Sequence, residues 1–236
     1  MSTPKPAPPP PQELIEGMGR LMGEMVQSGA FEAGEGLRPS KLGVRLQYKD
    51  GKPAAAPGPF TPDHELTAAF SIVGVADLDA ARRWADRYGA IFGEVEIDLR
   101  PVCEPWHLGM APPPPAGTPQ RFMLQFKADA RYETGAPISA RELAALQQLE
   151  AEMKQAGVLI ATEAFRPSSQ GLRIQYDRTQ DQRRVIDGPF AESKELIAGY
   201  CIMKVKDRAE VVHWTDRFAA NFPQVNVEIR LLERQG

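Results

Sequence analysis

Asp187 and Arg173 are the side chains of this chain whose types best suit chemistry on a small molecule. A carboxylate beside a cation such as Arg173 or Lys194 acts as a base or orients a bound ligand. Arg173 and Gln175 fall on one face of an extended segment, with Leu172, Ile174 and Tyr176 on the other. Arg45 and Gln47 repeat that arrangement opposite Val44, Leu46 and Tyr48. A guanidinium held on a sheet face suits a carboxylate or a phosphate. Asp187 and Glu195 are therefore the catalytic candidates. Arg173, Gln175, Arg166, Lys194 and Arg45 are the ligand-binding candidates.

Each candidate has a structural alternative. Asp187 fits an Asx-type turn in which it bonds the amides after Pro189, with Gly188 supplying the tight backbone. Arg173 and Gln175 fit a solvated polar face, or an arginine salt-bridged across an interface. Arg166, like Arg38, precedes a proline in a turn, and the run Glu192–Glu195 fits a solvated loop.

Other chemistries find little support. His213 lies one position off the apolar stripe of its helix, so it points to the polar side. Cys103 and His107 lack two further ligands at usable spacing, so no metal and no cofactor is expected. Cys103 and Cys201 read as buried, inert thiols. Gly17-Met-Gly19-Arg-Leu-Met-Gly23 is one residue too long for a dinucleotide fingerprint and lies within a helix.

The elements that position these residues occur twice. LRPSKLGVRLQY (37–48) matches FRPSSQGLRIQY (165–176), Gly58-Pro59-Phe60 matches Gly188-Pro189-Phe190, and Trp84 and Arg87 match Trp214 and Arg217. Proline tracts at 8–11 and 112–115 set the boundaries: a tail over 1–11, one copy over 12–109, a stiff linker over 110–119 and a second copy over 120–236.

Copy two reads β-α-β-β-β-α-β. Arg121–Lys127 alternates as a strand, and Ser139 with Glu142 forms a capping box. Leu143, Leu146, Leu149 and Met153 form the apolar stripe of the following helix, which Gly157 stops. Leu196–Val205 reads as a mostly buried strand, and Asp207 caps a second helix. Copy one has the same order without the first strand, because the prolines before Gln12 lack the ladder donor. In a split β-α-β arrangement that strand is central. Either its neighbours close up or another segment fills the gap.

The net charge of −3 offers no basic field for nucleic acid, and no apolar run is long enough for a membrane span. Two cysteines and no apolar leader set a cytoplasmic expectation.

Val185-Ile-Asp-Gly-Pro-Phe-Ala-Glu-Ser-Lys-Glu-Leu-Ile-Ala-Gly-Tyr200, with Trp214 and the upstream AGVLIATEAFRPS (156–168), resembles the YCII-related family in its Asp-Gly-Pro-Phe branch. The resemblance implies an α+β fold of two tandem ferredoxin-like domains of the dimeric α/β barrel type, forming an intrachain pseudo-dimer that can pair again. It also implies a bacterial cytoplasm, often with genes for alternative sigma factors nearby. Some members are similar to lactone dehydrochlorinases and use a His–Asp pair, with the His early in the first helix. Here those helices begin Ser139-Ala-Arg-Glu142 and Gln12-Glu13-Leu14, without histidine. Copy one also has Pro57 in place of the motif aspartate. The expected role is binding of a small anionic metabolite in a cleft of copy two, with proton-transfer chemistry of the lyase or isomerase type. The alternative is a non-catalytic regulatory or interaction module tied to a sigma-factor circuit.

Overall fold

The computed structural model describes residues 11–62, 66–190 and 195–233. Copy one contributes α1 (Gln12–Ser28), β1 (Phe31–Gly36), β2 (Val44–Lys49), β3 (Lys52–Pro57), β4 (Thr67–Val75), α2 (Leu78–Phe92) and β5 (Val95–Pro101). Copy two contributes β6 (Gln120–Lys127), a short α3 (Ala130–Glu133), α4 (Ala140–Gln155), β7 (Leu159–Ala164), β8 (Leu172–Asp177), β9 (Gln182–Asp187), β10 (Gly199–Met203), α5 (Arg208–Ala219) and β11 (Gln224–Ile229).

Local signals set the helix ends. Ser139 Oγ accepts the Glu142 amide while the Glu142 carboxylate accepts the Ser139 amide at 2.7 Å, so two orphan donors are satisfied together. Asp77 and Asp207 cap α2 and α5 by accepting one amide each, those of Ala80 and Glu210. Gly29 ends α1 at φ 74, and its amide returns to the Met25 and Val26 carbonyls. Of the stripe expected on α4, Leu149 and Met153 are buried, but Leu143 is 44% exposed. It sits in the first turn, outside the core cluster that holds Leu146, Leu149 and Met153.

Strand pairing does not follow the repeat. One antiparallel sheet has the order β3-β2-β5-β6-β4-β7. Its fourth member, β6, comes from copy two yet lies between β5 and β4 of copy one, with Phe126 opposite both Ile97 and Ala69. β7 extends the sheet along β4, and α4 packs beside α2. The gap left open by the sequence of copy one is thus filled by Gln120–Lys127. In return, α1 and β1 of copy one join copy two. β1 pairs with β10, α1 packs on α5, and Glu24 forms an ion pair with Arg217.

The remaining strands form two smaller sheets, β1-β10 and β11-β8-β9. Helices α2 and α4 cover one face of the large sheet over a single core containing Leu46, Val73, Leu99, Leu124 and Met153. The opposite face carries Phe70, Ile72 and Met123 against Phe165, Tyr200 and Ile202 of the second half. Two expectations need correction here. The strand at 199–203 is half-exposed, not mostly buried, and Cys201 is exposed while Cys103 is half-buried. The exposure of the strand and of Cys201 follows from the company β10 keeps, with a ladder on its β1 side alone among the described residues.

Candidate functional site

The repeated motifs converge on one small structure, built twice. Each hairpin runs into a Gly-Pro step with a cis peptide bond, at 58–59 and 188–189. The glycine amides donate to the carbonyls of Gly43 and Gly171 at 3.0 and 3.1 Å. A Cβ on Gly58 would lie 1.9 Å from the Ser40 carbonyl oxygen, and one on Gly188 1.8 Å from that of Ser168. Backbone approach therefore requires glycine at both places. The next amide, of Phe60 or Phe190, donates to the hydroxyl of Ser40 at 3.2 Å or of Ser168 at 3.0 Å. The expected Asx turn is corrected by this contact: Ser168, not Asp187, takes the amide after Pro189. Ser168 is fully buried and is held in turn by the Glu133 carboxylate, which accepts its amide at 3.1 Å and its hydroxyl.

The two buried phenylalanines carry the strand arginines. Arg45 lies 4.9 Å over the Phe60 ring, and Arg173 lies 4.4 Å over Phe190. Both guanidiniums are occupied by carboxylates. Arg45 grips Asp98 through two hydrogen bonds of 2.7 and 2.8 Å, and Lys127 approaches the same buried carboxylate at 3.1 Å. Arg173 donates to Glu228 at 2.7 Å, and Arg230 reaches the other oxygen of Glu228 at 2.9 Å. Arg100 and Arg230 also donate to the carbonyls of Arg38 and Arg166, at 2.7 and 2.6 Å.

Asp187 is placed elsewhere. It stands opposite Leu172, whereas Arg173 stands opposite Ile186, so the two charges lie on opposite faces of the hairpin. Asp187 is exposed and pairs with Arg208. Glu195 accepts from the Asn226 side chain at 2.5 Å on the exposed surface. Gln175 is half-buried on β8, between Asn226 and Arg184. Arg166 lies 3.5 Å from Glu233 and 3.4 Å from the Gln170 side chain. Lys194, with Glu192 and Ser193, lies outside the described residues. The structure thus brings Arg45 to Asp98 and Arg173 to Glu228, but does not bring Asp187 to Arg173.

Sequence reasoning missed Asp98, Glu228 and Glu133. The first two carried a usable signal, because IDLR (97–100) and VEIR (227–230) occupy matching places in the repeat. Two surface concavities accompany these features. One of about 260 Å³ is lined by Tyr176, Arg178, Arg183 and Asp216 at the far end of β8. Another of about 250 Å³ lies against α2 and α4, beside Arg87 and Leu149. Neither is lined by Asp187, Arg173 or Glu195. In the first, the Tyr176 hydroxyl donates to Asp216 at 2.6 Å, and burial followed by that carboxylate pushes the phenol well above its ordinary value. No group of three metal-ligating side chains occurs among the described residues.

The geometry defines a tandem-repeat α+β protein whose halves share one Ser-anchored Gly-Pro-Phe turn. The family model of the YCII-related domain matches residues 2–98 and again residues 122–230. The chain belongs to the YCII-related family and carries its domain twice. No curated protein and no solved structure matches it. Among the described residues, no helix is long and apolar enough to cross a membrane.

Proposed function

We propose that this protein is a non-catalytic interaction module. One observation carries the reading: Arg173 and Asp187 lie on opposite faces of their hairpin, each already matched by an opposite charge. Proton transfer needs a base within about 3 Å of the proton it takes, beside a group that holds the substrate. Glu195 does not supply that partner either, since its contact is Asn226. The repeated arginine, phenylalanine and carboxylate instead make a brace that ties the hairpin turn to the sheet.

A second reading keeps the small anion. Arg173 over Phe190 is a preformed clamp, and an anion that displaced Glu228 would inherit both Arg173 and Arg230. Elimination or isomerisation at a lactone-like substrate, with Asp187 as proton acceptor, belongs to that reading by analogy of fold. Finer placement runs along the same lines. Residues 187–190 support the Asp-Gly-Pro-Phe branch, and the pairing of β6-α4-β7 with β4-α2-β5 supports a ferredoxin-like unit.

A thermal-shift screen of small carboxylates, lactones and phosphates separates the two. The interaction reading predicts no ligand-dependent shift. A stabilisation present in the wild type and lost in both Arg173→Ala and Asp187→Asn would overturn it.

A further inference from the structure

We propose that β9 is a self-pairing edge: two copies of the chain join antiparallel through it, with Val185 on the two-fold axis. This goes beyond the interaction reading and does not depend on it.

The two hairpins present different edges. Among the described residues β9 pairs with β8 alone, and its repeat counterpart β3 pairs with β2 alone. In an antiparallel ladder the hydrogen-bonded pairs recur at every second residue. The Gly188 amide donates to the Gly171 carbonyl, so Ile186, Arg184 and Gln182 turn their backbone groups toward β8. The amides and carbonyls of Arg183, Val185 and Asp187 therefore turn outward. In the first hairpin the Gly58 amide donates to Gly43, and the outward residues are Pro53, Ala55 and Pro57. The two prolines have no amide to donate, which blunts that edge. β9 keeps every outward donor.

The side chains of β9 fit a second β9. Val227, Ile174 and Val185 form an apolar row across the sheet β11-β8-β9. Ile174 is fully buried, but the row stops at the edge, where Val185 is 42% exposed. A second copy related by a two-fold axis at Val185 continues the row, because Val185 then meets its own counterpart. In that register Arg183 stands opposite Asp187 of the second copy, and Asp187 stands opposite Arg183 of the second copy. Each of these pairs joins outward-turned residues, so each can exchange two backbone hydrogen bonds. Arg183 already pairs with Asp216, and Asp187 with Arg208. Across the join the order is Arg208, Asp187, then Arg183 and Asp216 of the second copy, with alternating sign. Arg184 falls opposite Ile186, so no like charges meet.

Charge also fixes the register and the partner. An axis at Arg183 or at Asp187 would set that residue against its own copy. A strand without a carboxylate at the right place would leave Arg183 unmatched, so the edge discriminates in favour of itself. The contact is short, below the roughly 1,600 Å² of a standard interface, and the dimer is therefore reversible.

Sedimentation of the full chain between about 1 µM and 1 mM reads the association. The wild type should pass from the mass of one chain to that of two. Asp187→Arg and Arg183→Asp each set like charges opposite each other, and each alone should weaken the dimer at least about tenfold. Mixed in equal amounts, the two variants are complementary at both positions and should form a heterodimer. Val185→Pro removes only an outward amide, as the prolines of β3 do, and should give a folded monomer. A wild type that stays single, leaving the edge to an unrelated strand, would overturn the proposal. So would folded charge variants that dimerise like the wild type or fail to pair when mixed. If either charge variant does not fold, Val185→Pro decides alone, and a dimer that survives it places the contact on another face and overturns the proposal.

Discussion

Gly188 and Ser168 show how few atoms fix the turn. With a Cβ only 1.8 Å from a carbonyl oxygen, Gly188→Ala forces the hairpin away from the sheet, and we expect a loss of about 2 kcal/mol or more in denaturant unfolding. Ser168→Ala keeps the shape but leaves the Phe190 amide without its acceptor. It should cost about 1–3 kcal/mol on the same measurement. Glu142 gives a pH-dependent case. The hydrogen bonds of the capping box, Ser139 first, hold its carboxyl down to about 2 from 4.5. Because the folded value is depressed, this contribution is complete above 4.5 and is lost as pH falls toward 2. The melting temperature of Glu142→Gln should therefore lie below that of the wild type at pH 7, with the gap closing by pH 2. A gap independent of pH would contradict the assignment. The capping box was legible because its donors and acceptors lie within four residues of each other. The place of Asp187 was not, because the amide it was expected to take went to Ser168, which is distant in sequence but adjacent in space.

At the level of elements, β6 matters most, because it is the strand both neighbours share. Leu124 is fully buried at its centre, and Leu124→Ala should cost about 2–5 kcal/mol. Leu143→Ala on the exposed first turn of α4 should stay within about 0.5 kcal/mol. Equal losses at the two sites would contradict the packing described. Alternation identified Arg121–Lys127 as a strand, since a period of two is local. It carried no information about which copy would receive the strand. The partner is chosen by chain connection and by core volume, and both depend on residues far along the sequence. The half-exposure of Gly199–Met203 was hidden for the same reason: its apolar sequence suits a central strand, but exposure is decided by its neighbour.

At the scale of the molecule, the exchange of elements between copies makes the halves interdependent. Arg121 on β6 donates to Glu104 at 2.6 and 2.7 Å and also grips Glu35 on β1, tying the strand of one half to that of the other. The duplication could be read from matching motifs, whereas the exchange appears only in the pairing. The central claim is that repeat-related strands stand in unlike surroundings, one pair closed over β6 and the other sharing no strand among the described residues. Amide hydrogen exchange on the unliganded chain tests it most directly. Slow exchange is expected throughout 69–73 and 97–100, and fast exchange at those amides of 199–203 and 225–229 that turn away from β1 and β8. Equal protection in the two pairs would contradict it.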